Sequence, residues 1–198
     1  MCYNGEREQS RPLIIPKENN MEIDKIYSFD IFSFFDYIKT IKYGYKDAHG
    51  NLHFIDDEDW DMHDYVFSSP NEVIQNNCGW CWDVANLIAC YCKRHHIEHT
   101  TLFMEYLSNE LHQTHTQIFI FYNGKWYAAP DNSSPDQFGA NGYISLAECQ
   151  RNFVSSFVAF LKYTLKEKYD EKHLLLNEIH CEIAAGISDD EHLQIARQ

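Results

Sequence analysis

The spacing of apolar residues along the chain predicts helices on either side of a run of strands. Phe29, Phe32, Phe35, Tyr37 and Ile38 recur at roughly helical spacing between polar Asp30, Ser33 and Asp36, which predicts a first helix from Ser28 to about Ile41. Tyr43-Gly44-Tyr45 and Leu52-His53-Phe54-Ile55 flank Asp47-Ala48-His49-Gly50-Asn51, which reads as a hairpin turn. Ser69-Pro70-Asn71-Glu72 is a helix start: Ser69 can cap, Pro70 suits the first helical position, and Glu72 completes a capping box. That short helix runs to about Gln75. After Cys81, the residues Val84, Ala85, Leu87, Ile88, Ala89, Tyr91 and Cys92 predict a helix buried on most sides that ends near His95-His96.

Strand signals follow. Thr101 to Leu107 alternates, His115 to Tyr122 is rich in β-formers, and Asn123-Gly124 is the strongest short hairpin signal in the chain. Lys125 to Ala129 then returns antiparallel, and Pro130 to Gly142 is a loop rich in turn formers. A long helix is expected from about Ser145 to Lys168, with Leu146, Phe153, Phe157, Phe160 and Leu161 on its apolar face. This order predicts an α+β fold in which a buried helix bearing Cys81 packs on an antiparallel sheet with flanking helices. No repeat or linker divides the chain. Residues 1–22 read as a flexible arm, 23–182 as a single domain, and 183–198 as a peripheral helix or tail.

Composition narrows the function classes. The chain has 198 residues and a formal charge of -14, with 16 Lys and Arg against 30 Asp and Glu. A phosphate-binding face needs clustered cations, so a nucleic-acid partner is not expected. Only Lys93-Arg94-His95-His96 is locally basic, and it falls where a helix end favours cations. The longest apolar runs, Ile118–Tyr122 and Phe157–Leu161, are too short to cross a bilayer, and the N-terminus does not resemble a secretory signal. A soluble, cytoplasmic protein with no membrane association is the expectation. The acidic run Asp56–Asp61 lacks the Gly and distal Glu of an EF-hand loop and reads as a solvated loop. Seven cysteines without an export signal are expected to be free thiols.

One segment concentrates candidate chemistry: Gln75-Asn76-Asn77-Cys78-Gly79-Trp80-Cys81-Trp82. Cys81 falls at the start of a buried helix, where unpaired N–H groups and the helix dipole favour a thiolate. Its own N–H and the Gln75 amide are candidate oxyanion donors. His115, at the start of a strand, is the candidate base. The Asn123-Gly124 turn brings Asp131 back beside it, where a carboxylate could hold the imidazole. His112 precedes the predicted strand, Asp83 reads as a first-turn acid, and Trp80, Trp82 and Trp126 as cleft walls or core. Cys78-Gly79-Trp80-Cys81 also matches a C-x-x-C redox pair, but a capped helix precedes it instead of a strand. A zinc site from Cys78, Cys81 and two of His95, His96 or His115 lacks a second knuckle. Neither metal nor cofactor is expected.

Residues Gln75 to Trp82 resemble the papain-like Q-x-x-C-G-x-C-W signature. The close succession of Cys81, His115 and Asp131 resembles the compact order of the transglutaminase-like superfamily, as does the stretch from His115-Thr116-Gln117-Ile118 through Lys125-Trp126-Tyr127 to Pro130-Asp131. The resemblance covers about Ser69 to Gly142 and implies a compact papain-like core. It also implies a Cys81–His115–Asp131 triad that forms an acyl-thioester with a protein or peptide substrate, as a protease, amidase, deamidase or transglutaminase. One departure is that Pro130 precedes Asp131, with Asn132-Ser133-Ser134 after it. Asn132 is therefore a second candidate for the third role, and Asp131 is favoured because it comes first after the strand. The alternative function is an inactive relative that binds a protein partner.

Overall fold

The computed structural model describes residues 20–55, 64–134, 136–180 and 184–198. Most of the expected N-terminal arm, and the acidic run Asp56–Asp61, lie outside the described residues.

The first predicted helix is two helices. Asp30 adopts an extended conformation and its carboxylate accepts from the N–H groups of Phe32 and Ser33, which caps a new start. α1 (Asn20–Tyr27) therefore ends before α2 (Ile31–Ile38) begins. β1 (Lys42–Lys46) and β2 (Leu52–Phe54) form the expected hairpin. Gly44 allows it to close, because a Cβ there would collide with the His53 carbonyl oxygen and sit 3.1 Å from the Cys78 sulfur. α3 (Pro70–Asn76) starts on the predicted Ser69–Glu72 capping box and stops at Asn77, which takes the left-handed conformation with φ 47°. The chain then runs through β3 (Cys78–Gly79), which pairs parallel with Lys42 and Tyr43, into α4 (Cys81–Arg94).

The main sheet has four strands in the order β6-β5-β4-β7, with every neighbouring pair antiparallel. They are β4 (His99–Leu107), β5 (His112–Tyr122), β6 (Lys125–Ala128) and β7 (Leu174–Ile179). Asn123 and Gly124 both take positive φ, as a tight hairpin turn requires. β5 begins three residues earlier than predicted, so His112 belongs to the strand. β7 has no sequence signal beyond its apolar start, and pairing with β4 creates it. α5 (Leu146–Leu165) matches the long helix, ending in a 3-10 turn over Lys166–Lys168. Its predicted apolar face is narrower than expected, since Phe160 is 50% exposed.

Side chains alternate across β5 and sort the layers. Ile118 and Ile120 join α1 to α4 in one core, whereas Phe119, with Leu102 and Met104 of β4, packs on Cys149, Phe153 and Phe157 of α5. The architecture is α+β, with α-helices on both faces of the main sheet. No described helix is long and apolar enough to cross a membrane.

The end of the chain forms α6 (Asp189–Ala196), capped by Ser188 and Glu191. It buries Leu193 and Ala196 against Trp82, Phe67 and Phe103. Arg197 clamps Glu105, and Asn177 donates to the Ala196 carbonyl. His192 is fully buried in this contact, 3.5 Å centroid to centroid from the Trp82 ring, and neither ring nitrogen has a hydrogen-bond partner. Burial pushes its pKa down to about 3. The stability from a neutral buried His192 is thus complete above pH 6.5 and is lost as pH falls from there toward 3. His192→Phe is expected to be more stable than the wild type at pH 5 by about 2 kcal/mol relative to the difference at pH 7.5. Urea unfolding at the two pH values measures this, and equal differences would refute it.

Candidate active site

The start of α4 is held by a buried carboxylate. Asp83 is fully buried and accepts from the Tyr65 hydroxyl (2.9 Å), the Ser68 N–H (2.8 Å) and the Trp80 N–H (3.0 Å). Burial raises its pKa to about 7, against the pull of those three donors. A first-turn acid was legible in the sequence. Its role in tying two distant segments to the helix start was not.

Cys81 is the first residue of α4 and is 2% exposed. The backbone N–H groups of Thr116 and Trp82 pull its pKa down, toward a thiolate. Burial outweighs them, with the Asp131 and Asp83 charges adding to it, and the thiol is pushed up to about 12. Burial thus favours the neutral thiol. Its direction is opposite to the helix-dipole effect, because the dipole acts on a group the fold has removed from water.

β6 explains why the Thr116 N–H has no partner strand on that side. The β5–β6 register ends at Phe119–Ala128, with one further bond from the Ala129 N–H to the Ile118 carbonyl, so β5 has a free edge at residues 115–117. His115 sits on this edge, on the strand face shared with Met104 and Phe119. It stacks on Phe153 of α5 at 5.6 Å. Its Nε2 is 4.0 Å from Asp131 Oδ2. Burial lowers the His115 pKa, while the Asp131 charge and the Gln117 side chain oppose that shift. Asp131 also turns its Oδ1 to the N–H and hydroxyl of Ser133, both at 2.8 Å. The structure thus brings His115 and Asp131 together and puts Asp131 within electrostatic reach of Cys81.

The remaining predicted residues take other places. Asn132 has other partners: its Nδ2 donates to the carbonyls of Gly79 (2.9 Å) and Lys42 (3.3 Å), tying the loop to the segment before Cys81. Its Oδ1 is buried without a partner. Trp80 stacks on Tyr43 at 4.8 Å, and Trp82 is core, packed on Phe103 and His192. Gln75 is exposed on α3 and lines no part of the cleft described next. His112 pairs with Glu105 at 2.8 Å, well apart in role from His115. Cys78 and Cys81 are both free, and no cluster of three or more His, Cys, Asp or Glu suited to a metal occurs among the described residues.

A cleft of about 320 Å³ opens beside His115 and Asp131. Hydroxyl and amide side chains dominate its walls, with Asp136 as its other acid, and no Lys or Arg lines it. Cys81 is not part of its described wall. Gln117, which lines the cleft, was missed by the sequence reading; its position two residues after His115 on a strand was the available signal. Comparison of the chain with protein-family models and with curated proteins finds no match.

Asp83→Asn would replace an acceptor with an amide that meets donors, so it is expected to destabilise the fold by about 3 kcal/mol. Because the folded pKa is raised, the Asp83 contribution is full below pH 3.8 and is lost as pH rises through about 7. The variant should therefore lose least, relative to wild type, at pH 8. Chemical unfolding from pH 5 to 8 reads both effects, and a pH-independent loss would contradict the assigned carboxylate.

Proposed function

We propose that the chain is a cysteine-dependent hydrolase or acyltransferase of transglutaminase-like type, acting on a carboxamide or peptide bond of a protein or peptide. The observation that carries this reading is His115 beside Asp131, 4.0 Å apart at the free edge of β5, with the charge of Asp131 also felt by the Cys81 sulfur at the start of α4. Resemblance of the Gln75–Trp82 segment and of the Cys–His–Asp order to that superfamily supports it.

In this mechanism neutral His115 takes the proton as the Cys81 sulfur attacks the carbonyl carbon. The proton then goes to the departing nitrogen as the C–N bond breaks, leaving an acyl-thioester. Water or an amine attacks that ester, and His115 again relays the proton. General-base activation fits the site better than a preformed ion pair, since burial favours the neutral forms of both groups. Asp131 stabilises the imidazolium that forms, and the Cys81 thiol must be uncovered for substrate to reach it. The acidic surface favours a neutral or basic substrate.

A peptide carrying a chloroacetamide in place of its carboxamide tests this. It is expected to alkylate Cys81 ahead of half-buried Cys90, and His115→Ala should slow the reaction about 100-fold. Mass mapping reads the site. Alkylation of Cys90 at an equal rate, with no effect of His115→Ala, would refute the activity. It would favour the second reading, a binding module, which the closure of Cys81 at 2% exposure also suits.

A further inference from the structure

A second cavity, of about 210 Å³, lies on the opposite side of the main sheet from the cleft beside His115 and shares no residue with it. It opens between α4 and the β4–β7 edge, and side-chain size explains why. His99, Thr101 and Phe103 alternate onto the α4 face of β4, and Ile179 of β7 stands opposite Thr101. Facing them, α4 presents Trp82, Ala85, Asn86, Ala89 and Lys93 as one stripe at helical spacing. Trp82 fills its part of the gap by packing on Phe103 at 5.3 Å, and His192 of α6 closes that end. One and two turns further along, the stripe carries alanines, and the groove stays open.

The wall is divided by chemistry. Phe67, Trp82, Ala85, Ala89 and Ile179 make an apolar floor, and Lys93, His99 and His180 stand around it. Among the described residues no Asp or Glu lines the cavity, in a chain with 30 acids against 16 Lys and Arg. Within the basic run that ends α4, Arg94 pairs with Asp24 at 2.7 Å and His95 Nε2 meets the Tyr27 carbonyl at 2.6 Å, whereas Lys93 turns to the cavity. Lys93 and Arg94 also offset the negative end of the helix there. His99 Nδ1 is 3.0 Å from the Ile97 carbonyl. A carbonyl only accepts, so Nδ1 carries hydrogen and Nε2 is the nitrogen left for a ligand; protonated, it donates to an anion.

We propose that this cavity binds a small carboxylate with an apolar tail, the tail on Trp82, Ala85 and Ala89 and the carboxylate at the mouth near Lys93 and His99. An apolar cavity of roughly 150 Å³ takes up a benzene ring. The space here therefore holds one aromatic ring with a short acidic arm. The site is separate from Cys81 and goes beyond the activity proposed for it.

The test is titration of the full 15N-labelled chain with phenylacetate at pH 7, followed through the backbone amides of Ala85, Ala89 and Thr101. Saturable shifts are expected at these residues, with the amides of Ser133 and Asn141 in the other cleft unmoved. Phenylacetamide, the uncharged analogue, is expected to bind about 5-fold more weakly. Lys93→Gln should weaken phenylacetate by about the same factor and leave phenylacetamide unchanged. Ala89→Leu fills the floor and should abolish the saturable shifts for both. Equal affinity for acid and amide would overturn the anionic class of ligand. Shifts confined to the other cleft, no saturation below about 10 mM, or binding that survives in folded Ala89→Leu would overturn the site. If Ala89→Leu does not fold, the wild-type and Lys93→Gln titrations still decide. None of these measurements depends on turnover, so an unreactive Cys81 would remove the proposed activity and leave this result standing.

Discussion

The three hydrogen bonds to Asp83 are the constraint on which the site depends. A carboxylate with no salt-bridge partner among the described residues is costly to bury, and it is tolerated here because rigid donors meet it from three directions. Those donors come from Tyr65, Ser68 and Trp80, so one side chain joins the segment before α3 to the first turn of α4. Cys81 is the residue between Trp80 and Trp82. Its place is set by this anchoring on one side and by the Asn132 bond to the Gly79 carbonyl on the other.

From that anchored helix start, the sulfur reaches the free edge of β5. The edge is free because β6 leaves the sheet after Ala128, and this exposes the Thr116 N–H to Cys81 while His115 remains next along the strand. Burial favours the protonated thiol and the neutral imidazole. α6 completes the apolar surroundings of Trp82, and the His192 ring, without a hydrogen bond and with Asp189 4.0 Å from Nδ1, makes that contact sensitive to acid.

Much of the frame was legible. The Ser69–Glu72 capping box, the helix after Cys81 and the Asn123-Gly124 turn are local signals, carried by residues within a few positions of each other. The split between α1 and α2 was legible too, in Asp30 two residues before Phe32, but the apolar spacing on both sides obscured it. β7 was not: Leu174-Leu175-Leu176 shows no alternation, and only the exposed edge of β4 makes it a strand. The proximity of His115 and Asp131 followed from the hairpin, because a tight turn between paired strands returns the chain beside its start.

The sequence by itself determined which residues are available for chemistry and the order in which Cys81, His115 and Asp131 occur, since turn chemistry, capping and apolar spacing act over short stretches of chain. Tertiary structure alone decided their states. Whether Cys81 is thiol or thiolate depends on how much water the packing of α4 against β5 leaves around it. The partner of His115 depends on a loop that returns Asp131 beside it, and the environment of His192 on aromatic rings from three other parts of the chain. Burial and hydrogen-bond completion are properties of groups brought together from a distance.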